Sequence, residues 1–237
     1  MKKVLFGIFA HPDDEAFGPS GTLCLEVEQG TDVHLILLTD GSAGKNNGYE
    51  DLGETRLSEW RKSCELIGVK TGEALHFPDG GLSNNLYLEI CSRIQQVITD
   101  KLAAYKEPIK VDFMTFDSNG ITGHLDHIAT SSITSYCFEH FKSNKPLDAE
   151  SGILRFFCLP KSLVPECNCR WVYMPCGRDE SEVDEIVDIS TVLEKKYQVM
   201  SAHQSQKEDL DQIFQSLDDL KAEGDPAYAQ EYFFIQY

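Results

Sequence analysis

The chain has 237 residues, 41% hydrophobic and 25% charged, which suits a single soluble α/β domain able to bury a core without disulfide or metal staples. Its 21 Lys and Arg against 39 Asp and Glu leave a net charge of −18, which argues against nucleic acid or an anionic membrane as partner, because phosphate recognition needs a basic footprint. No run approaches the ~18 apolar residues of a membrane-spanning helix, and the apolar start after Lys2-Lys3 is too short for a signal peptide and lacks a cleavage site, so a cytoplasmic protein without membrane insertion is expected.

In chain order, Val4–Phe9 is a short apolar run and reads as a buried strand. A helical pattern covers roughly 18–30, and Val33–Leu38 reads as a second buried strand. A helix over roughly 54–68 ends at Gly68. A weaker strand, Ala74–Phe77, is closed by Pro78-Asp79-Gly80-Gly81, and a helix over roughly 86–104 follows. Val111–Phe116 is a fourth strand, closed by the turn cluster Asp117-Ser118-Asn119-Gly120. A helix over roughly 124–142 and a fifth strand, Leu154–Leu159, come next. Strand then helix, repeated, predicts a Rossmann-like α/β fold, a mostly parallel sheet with helices on both faces. After residue 160 the pattern changes. Arg170–Met174 and Ile186–Ile189 read as late strands, 191–203 and 206–222 as helices, and Tyr232-Phe233-Phe234 lies near the end. Residues 1–237 are thus expected to form one domain, a core of about 1–160 with a small C-terminal lobe of about 161–237 packed on the sheet.

Two clusters carry chemistry. His11-Pro12-Asp13-Asp14-Glu15 follows the first strand directly, and open α/β sheets place their sites at the carboxyl ends of strands. If a helical turn begins there, His11 and Asp14 share a face. Three adjacent acids at the mouth of a buried strand repel one another, and a cation is the simplest thing to hold them. Gly123-His124-Leu125-Asp126-His127 opens the helix after the fourth strand, and its two histidines also share a face. In a 3-2-1-4-5 strand order the first and fourth strands flank the switch point, so both clusters meet in one crevice and a metal centre is expected. His34, His76 and His140 stand alone and read as packed or surface residues. The eight cysteines fall mostly in apolar stretches, as small hydrophobes. Cys167, Cys169 and Cys176 cluster, but without paired C-x-x-C spacing they read as reduced thiols.

Ala10-His11-Pro12-Asp13-Asp14-Glu15 and Gly123-His124-Leu125-Asp126-His127-Ile128-Ala129 closely resemble the motifs of the LmbE/PIG-L-like deacetylases, which act on N-acetylglucosaminyl groups and related amides. Leu38–Gly44, the stretch from Leu52-Gly53-Glu54-Thr55-Arg56 to Leu66-Ile67-Gly68-Val69, Thr115–Gly123 and Ala202-His203-Gln204-Ser205-Gln206 are also similar, so the resemblance spans roughly 4–206. It implies one zinc ion per chain, held by His11, Asp14 and His127. It implies Asp13 as general base, His124 steadying the oxyanion, Asp126 orienting a histidine, and Arg56 contacting the substrate, an N-acetylated amino sugar or glycoconjugate. Leu125 stands where many members have Pro, and Thr122 where some have an aromatic, which bears on loop shape and substrate fit and not on the ligand set.

Such a ligand set makes chemical sense. Two His and one carboxylate leave a position on zinc for water, whose pKa the ion lowers to about 7. Asp13 is placed to take that water's proton and pass it to the leaving amine, and a His124 imidazolium would face the developing oxyanion. Without a site role, Arg56 is a solvated helix arginine paired with Glu59, and His203 belongs to a late helix packing over the rim. The same donors also fit a 2-His-1-carboxylate iron(II) oxygenase, which the strand–helix alternation disfavours. No G-x-G-x-x-G follows the first strand, Gly44-Lys45-Asn46 lacks the upstream Gly of a P-loop, and no G-x-S-x-G serves a serine hydrolase. A non-catalytic small-molecule binding protein is the remaining alternative, against which Asp13 beside a full ligand set argues for turnover. The sequence is compatible with a homo-oligomer.

Overall fold

Continuous apolar runs become the middle of the sheet. In the computed structural model, which describes residues 1–164, 177–208, 211 and 229–237, strands Lys2–Phe9 (β1) and Ile109–Phe116 (β4) lie parallel, with Phe6 opposite Phe113. Every residue from Val4 to Phe9 and from Val111 to Phe116 is buried, as strands covered on both faces must be. Asp32–Thr39 (β2) and Thr71–Phe77 (β3) extend the sheet on one side, and Ala149–Cys158 (β5) on the other, all parallel. Glu185–Asp188 (β6) and Gln230–Gln236 (β7) complete the order β3-β2-β1-β4-β5-β7-β6, with β7 antiparallel to both neighbours. The order turns back between β1 and β4, so a crevice opens at the carboxyl ends of those two strands.

The helices follow the alternation. They are Asp14–Phe17 (α1), Ser20–Glu28 (α2), Leu52–Ile67 (α3), Tyr87–Leu102 (α4), Gly120–Gly123 (α5), Leu125–Asn144 (α6) and Leu193–Ser201 (α7). The helix expected from residue 18 is split, because Gly18 and Pro19 separate the single turn α1 from α2. Asp51 caps α3 by accepting from the Glu54 amide, and α3 ends at Gly68 as its sequence suggests. The segment after residue 160 supplies two strands to the sheet itself, and α7 packs on α2 and α3. The predicted strand Arg170–Met174, most of the helix over 206–222, and Cys167, Cys169 and Cys176 lie outside the described residues.

No described helix is long and apolar enough to cross a membrane. Cys24, Cys64, Cys91, Cys137 and Cys158 are buried and unpaired. His34 stacks on Phe6 and bonds to Thr71 and Tyr105, His76 is exposed, and His140 stacks on Tyr136.

Candidate active site

Two turns build the site. After β1 the chain reverses so that the Asp14 carboxylate accepts from the His11 amide at 2.6 Å. The reversal places Asp13 at φ 116°, a region L residues seldom occupy. After β4, Gly120 sits at φ 71°, and a Cβ there would lie 2.9 Å from Ile128 Cγ1 and 3.2 Å from His127 Cβ, so only glycine fits. The turn aims the Gly120 carbonyl at His127 Nδ1, 3.1 Å away, while the His127 ring stacks on Phe116 at 4.2 Å.

Hydrogen bonding assigns the ring protons. His127 Nδ1–H donates to Gly120 O, which leaves a lone pair on Nε2. His11 Nε2 lies 3.0 Å from Asp79 Oδ1 and 3.4 Å from Asp126 Oδ2, so it carries the proton and Nδ1 keeps the lone pair. Those two lone-pair nitrogens face each other at 3.1 Å. Asp14 adds Oδ1 at 3.1 Å from His127 Nε2 and Oδ2 at 3.5 Å from His11 Nδ1. Four electron-rich atoms so close repel unless a cation sits among them. A proton can play that part. Burial opposes a charge on His11, but bonds to Asp126, Asp14 and Asp79 outweigh it and push its pKa up to about 12. Burial likewise opposes ionisation of Asp14, and the charges of His127 and His11 overcome it, holding this carboxyl well below the usual range. Two imidazoles and a carboxylate are the donor set zinc accepts, so the residues fit the metal that the sequence implies.

His124 stands at the edge of the cluster. Ring nitrogens of His11, His124 and His127 lie within 4.8 Å of one another. His124 Nδ1 accepts from the Asp126 amide at 3.2 Å, capping α6, so its proton belongs on Nε2. Burial, then the charges of His127 and His11, lower its pKa. Its Nε2–H is thus left as a donor at the edge of the cluster, and burial with the neighbouring charges disfavours the imidazolium form. Asp126 meets the ring of His11 and accepts from Gly80 N at 2.8 Å and Leu82 N at 3.1 Å, tying the loop after β3 to α6. Asp79, in that loop, was missed in the sequence because Pro-Asp-Gly-Gly reads only as a turn.

Asp13 and Arg56 face each other. Arg56 Nη2 donates to Asp13 Oδ2 at 2.8 Å and to Pro12 O at 2.7 Å, and Nη1 donates to Gly41 O at 2.9 Å. Arg56 is only 5% exposed, and a Cβ on Gly41 would come within 2.6 Å of its Cζ. The guanidinium thus clamps Asp13 through Nη2 and the Gly41 carbonyl through Nη1, while its buried Nε has no partner. Glu59, the alternative partner, bonds to Ser205 instead. Burial, the larger effect, raises Asp13 to about 6 against the pull of Arg56, which suits a general base near neutrality. His203, expected on the rim, is fully buried with Nε2 3.1 Å from Glu15.

The family described as PIG-L, GlcNAc-PI de-N-acetylase, matches residues 6–138, more than half of the chain. Diacetylchitobiose deacetylase of Thermococcus kodakarensis is 31% identical over 211 residues, covering 87% of this chain and 70% of its own. 1D-myo-inositol 2-acetamido-2-deoxy-alpha-D-glucopyranoside deacetylase of Mycobacterium sp. strain JLS is 27% identical over 239 residues, covering 87% of this chain and 74% of its own. Among solved structures, N,N'-diacetylchitobiose deacetylase from Pyrococcus horikoshii superposes with a TM-score of 0.68 at 19% identity, over 99% of this chain and 84% of that one, and so shares the fold. With both of its motifs in one crevice and its sequence matched across them, the chain belongs to the PIG-L de-N-acetylase family.

Proposed function

We propose that the chain is a zinc-dependent hydrolase that removes the acetyl group from the amide nitrogen of an N-acetylglucosamine-type sugar or glycoconjugate. The observation that carries this is the convergence of His11 Nδ1, His127 Nε2 and the Asp14 carboxylate at 3.1–3.5 Å, each ring held from behind by an acceptor. His11, Asp14 and His127 would hold the zinc ion, which when bound supplies a Lewis acid for the amide carbonyl and acidifies water. Asp13 takes the proton of the attacking water and carries it to the leaving nitrogen. His124 donates its Nε2–H to the carbonyl oxygen as that atom gains charge. Asp126 and Asp79 orient His11, and Arg56 holds Asp13. Family membership and likeness to deacetylases of N-acetylated sugars support the substrate class. Five buried, unpaired cysteines suit a reducing compartment, and we place the enzyme in the cytoplasm.

The test is a panel of N-acetylglucosamine, N,N'-diacetylchitobiose and an N-acetylglucosaminyl inositol, offered to the zinc-loaded protein. Amine and acetate should appear together, and both should vanish with zinc in His127→Ala. A panel left intact by zinc-replete protein overturns the reading. So does full zinc occupancy in His11→Ala. Iron on elemental analysis with oxygen uptake would favour the oxygenase alternative.

A further inference from the structure

Behind the motif of β1 lies a buried polar cluster that the chemistry above does not use. Glu15, Ser63 and His203 are each 0% exposed, so no solvent can replace a lost partner. Glu15 Oε1 accepts from Ser63 Oγ at 2.5 Å and from His203 Nε2 at 3.1 Å. Its other oxygen, Oε2, lies 3.4 Å from the Asp13 amide. Asp13 is the residue bent to φ 116°. A strained backbone of this kind persists only where its surroundings over-determine it.

Helix α3 organises the whole cluster. Arg56, Glu59 and Ser63 lie three and four residues apart and share one face. Arg56 bonds to the Asp13 side chain, Ser63 bonds to Glu15, and Glu59 accepts from Ser205 N at 2.8 Å and Ser205 Oγ at 2.6 Å. The segment around His203 is thus stapled to the same helix face as the motif of β1. From this geometry we propose that His203 is a positioning residue for Asp13, acting through the Glu15 carboxylate to hold the Asp13 backbone in its left-handed turn. The inference rests on the deacetylase reading for its kinetic consequence and on the hydrogen bonds alone for its structural one.

Three variants of the full zinc-loaded chain test it. His203→Leu removes the donor, His203→Gln keeps an N–H near the same place, and Ser63→Ala removes the second donor with little change in volume. The readouts are zinc content, kcat and KM on N,N'-diacetylchitobiose, and amide-hydrogen exchange of residues 11–17. His203→Leu should lower kcat about 10- to 100-fold with KM within about twofold, keep its zinc, and speed exchange at 11–17. His203→Gln should recover most of both effects. Wild-type kcat and exchange in His203→Leu overturn the proposal, as do equal losses in the Leu and Gln variants, because bulk and not the bond would then matter. Faster exchange in His203→Leu, with no deacetylation by the wild type, upholds the tether and overturns the activity. If His203→Leu does not fold, Ser63→Ala decides: a kcat loss at unchanged KM supports the tether, and wild-type kcat overturns it.

Discussion

Asp13 and Asp14 are chemically identical neighbours in opposite surroundings. Asp14 faces two imidazole lone pairs, whereas Asp13 faces the Arg56 guanidinium. Asp13→Asn keeps the size and the bond to Arg56 but removes the base. It should retain zinc and lose about 10²- to 10⁴-fold in kcat. Asp14→Asn should lose zinc instead. Elemental analysis beside steady-state kinetics checks both, and zinc loss in Asp13→Asn with retention in Asp14→Asn would exchange the roles. Asp79 acts one bond further out. Its carboxylate, with Asp126, keeps the His11 proton on Nε2, and it is itself held by the Ala43 amide at 2.7 Å. Asp79→Asn can present an N–H to His11 in place of an acceptor. Zinc affinity should fall about 10- to 100-fold in chelator competition, the usual scale for partners behind a ligand. Unchanged affinity would show that Asp126 suffices.

Between β4 and α6, three residues with positive φ decide where the His127 ring points. Gly120 lies at φ 71°, Ile121 at 64° and Gly123 at 78°, and the Gly120 carbonyl fixes the His127 ring. Gly120→Ala imposes both a disfavoured backbone and a clash with Ile128. It should cost about 1–3 kcal/mol of stability and weaken zinc binding together. A thermal melt and a zinc titration check this, and a variant with wild-type values in both would show that the turn relaxes freely. The central elements were legible in the sequence because buried parallel strands need unbroken apolar runs, as in Val4–Phe9 and Val111–Phe116. The meeting of His11, Asp14 and His127 was legible because the first motif directly follows β1 and the second follows β4 after a short loop. The bond from Arg56 to Asp13 was not legible, because helical spacing gives the face of a side chain but not what that face meets. His203 was marked only by the resemblance of Ala202–Gln206 to the family, which did not say what it touches, since a lone histidine in an amphipathic stretch looks the same whether buried or at a rim. The pairing of β7 was equally silent, because a contact between Phe157 and Phe233 leaves no local pattern.

Across the whole molecule, His34 links stability to pH. It is buried on β2, and burial first, then the charge of Lys70, lower its pKa from 6.5 to about 4. The unfolded chain therefore takes up a proton as pH falls through 6.5, while the folded protein declines it until about 4. Its contribution to stability is complete above 6.5, shrinks across that window and is flat below it. Urea midpoints should fall more steeply over this range in the wild type than in His34→Gln, and parallel curves would remove His34 as the cause. Strand β7 has a consequence in time. It lies between β5 and β6, and its Glu231 holds the first amides of α2, Gly21 N at 2.9 Å and Thr22 N at 2.7 Å, together with Lys196 at 2.6 Å. On the ribosome, both motifs emerge well before the strand that closes this sheet. Until residues 230–236 clear the exit tunnel, β5 presents an open edge, β6 has no neighbour, and the helix behind the first motif lacks its anchor. Nascent chains stalled before residue 230 should thus stay protease-sensitive and in need of a chaperone, and resistance should arrive abruptly with the last strand.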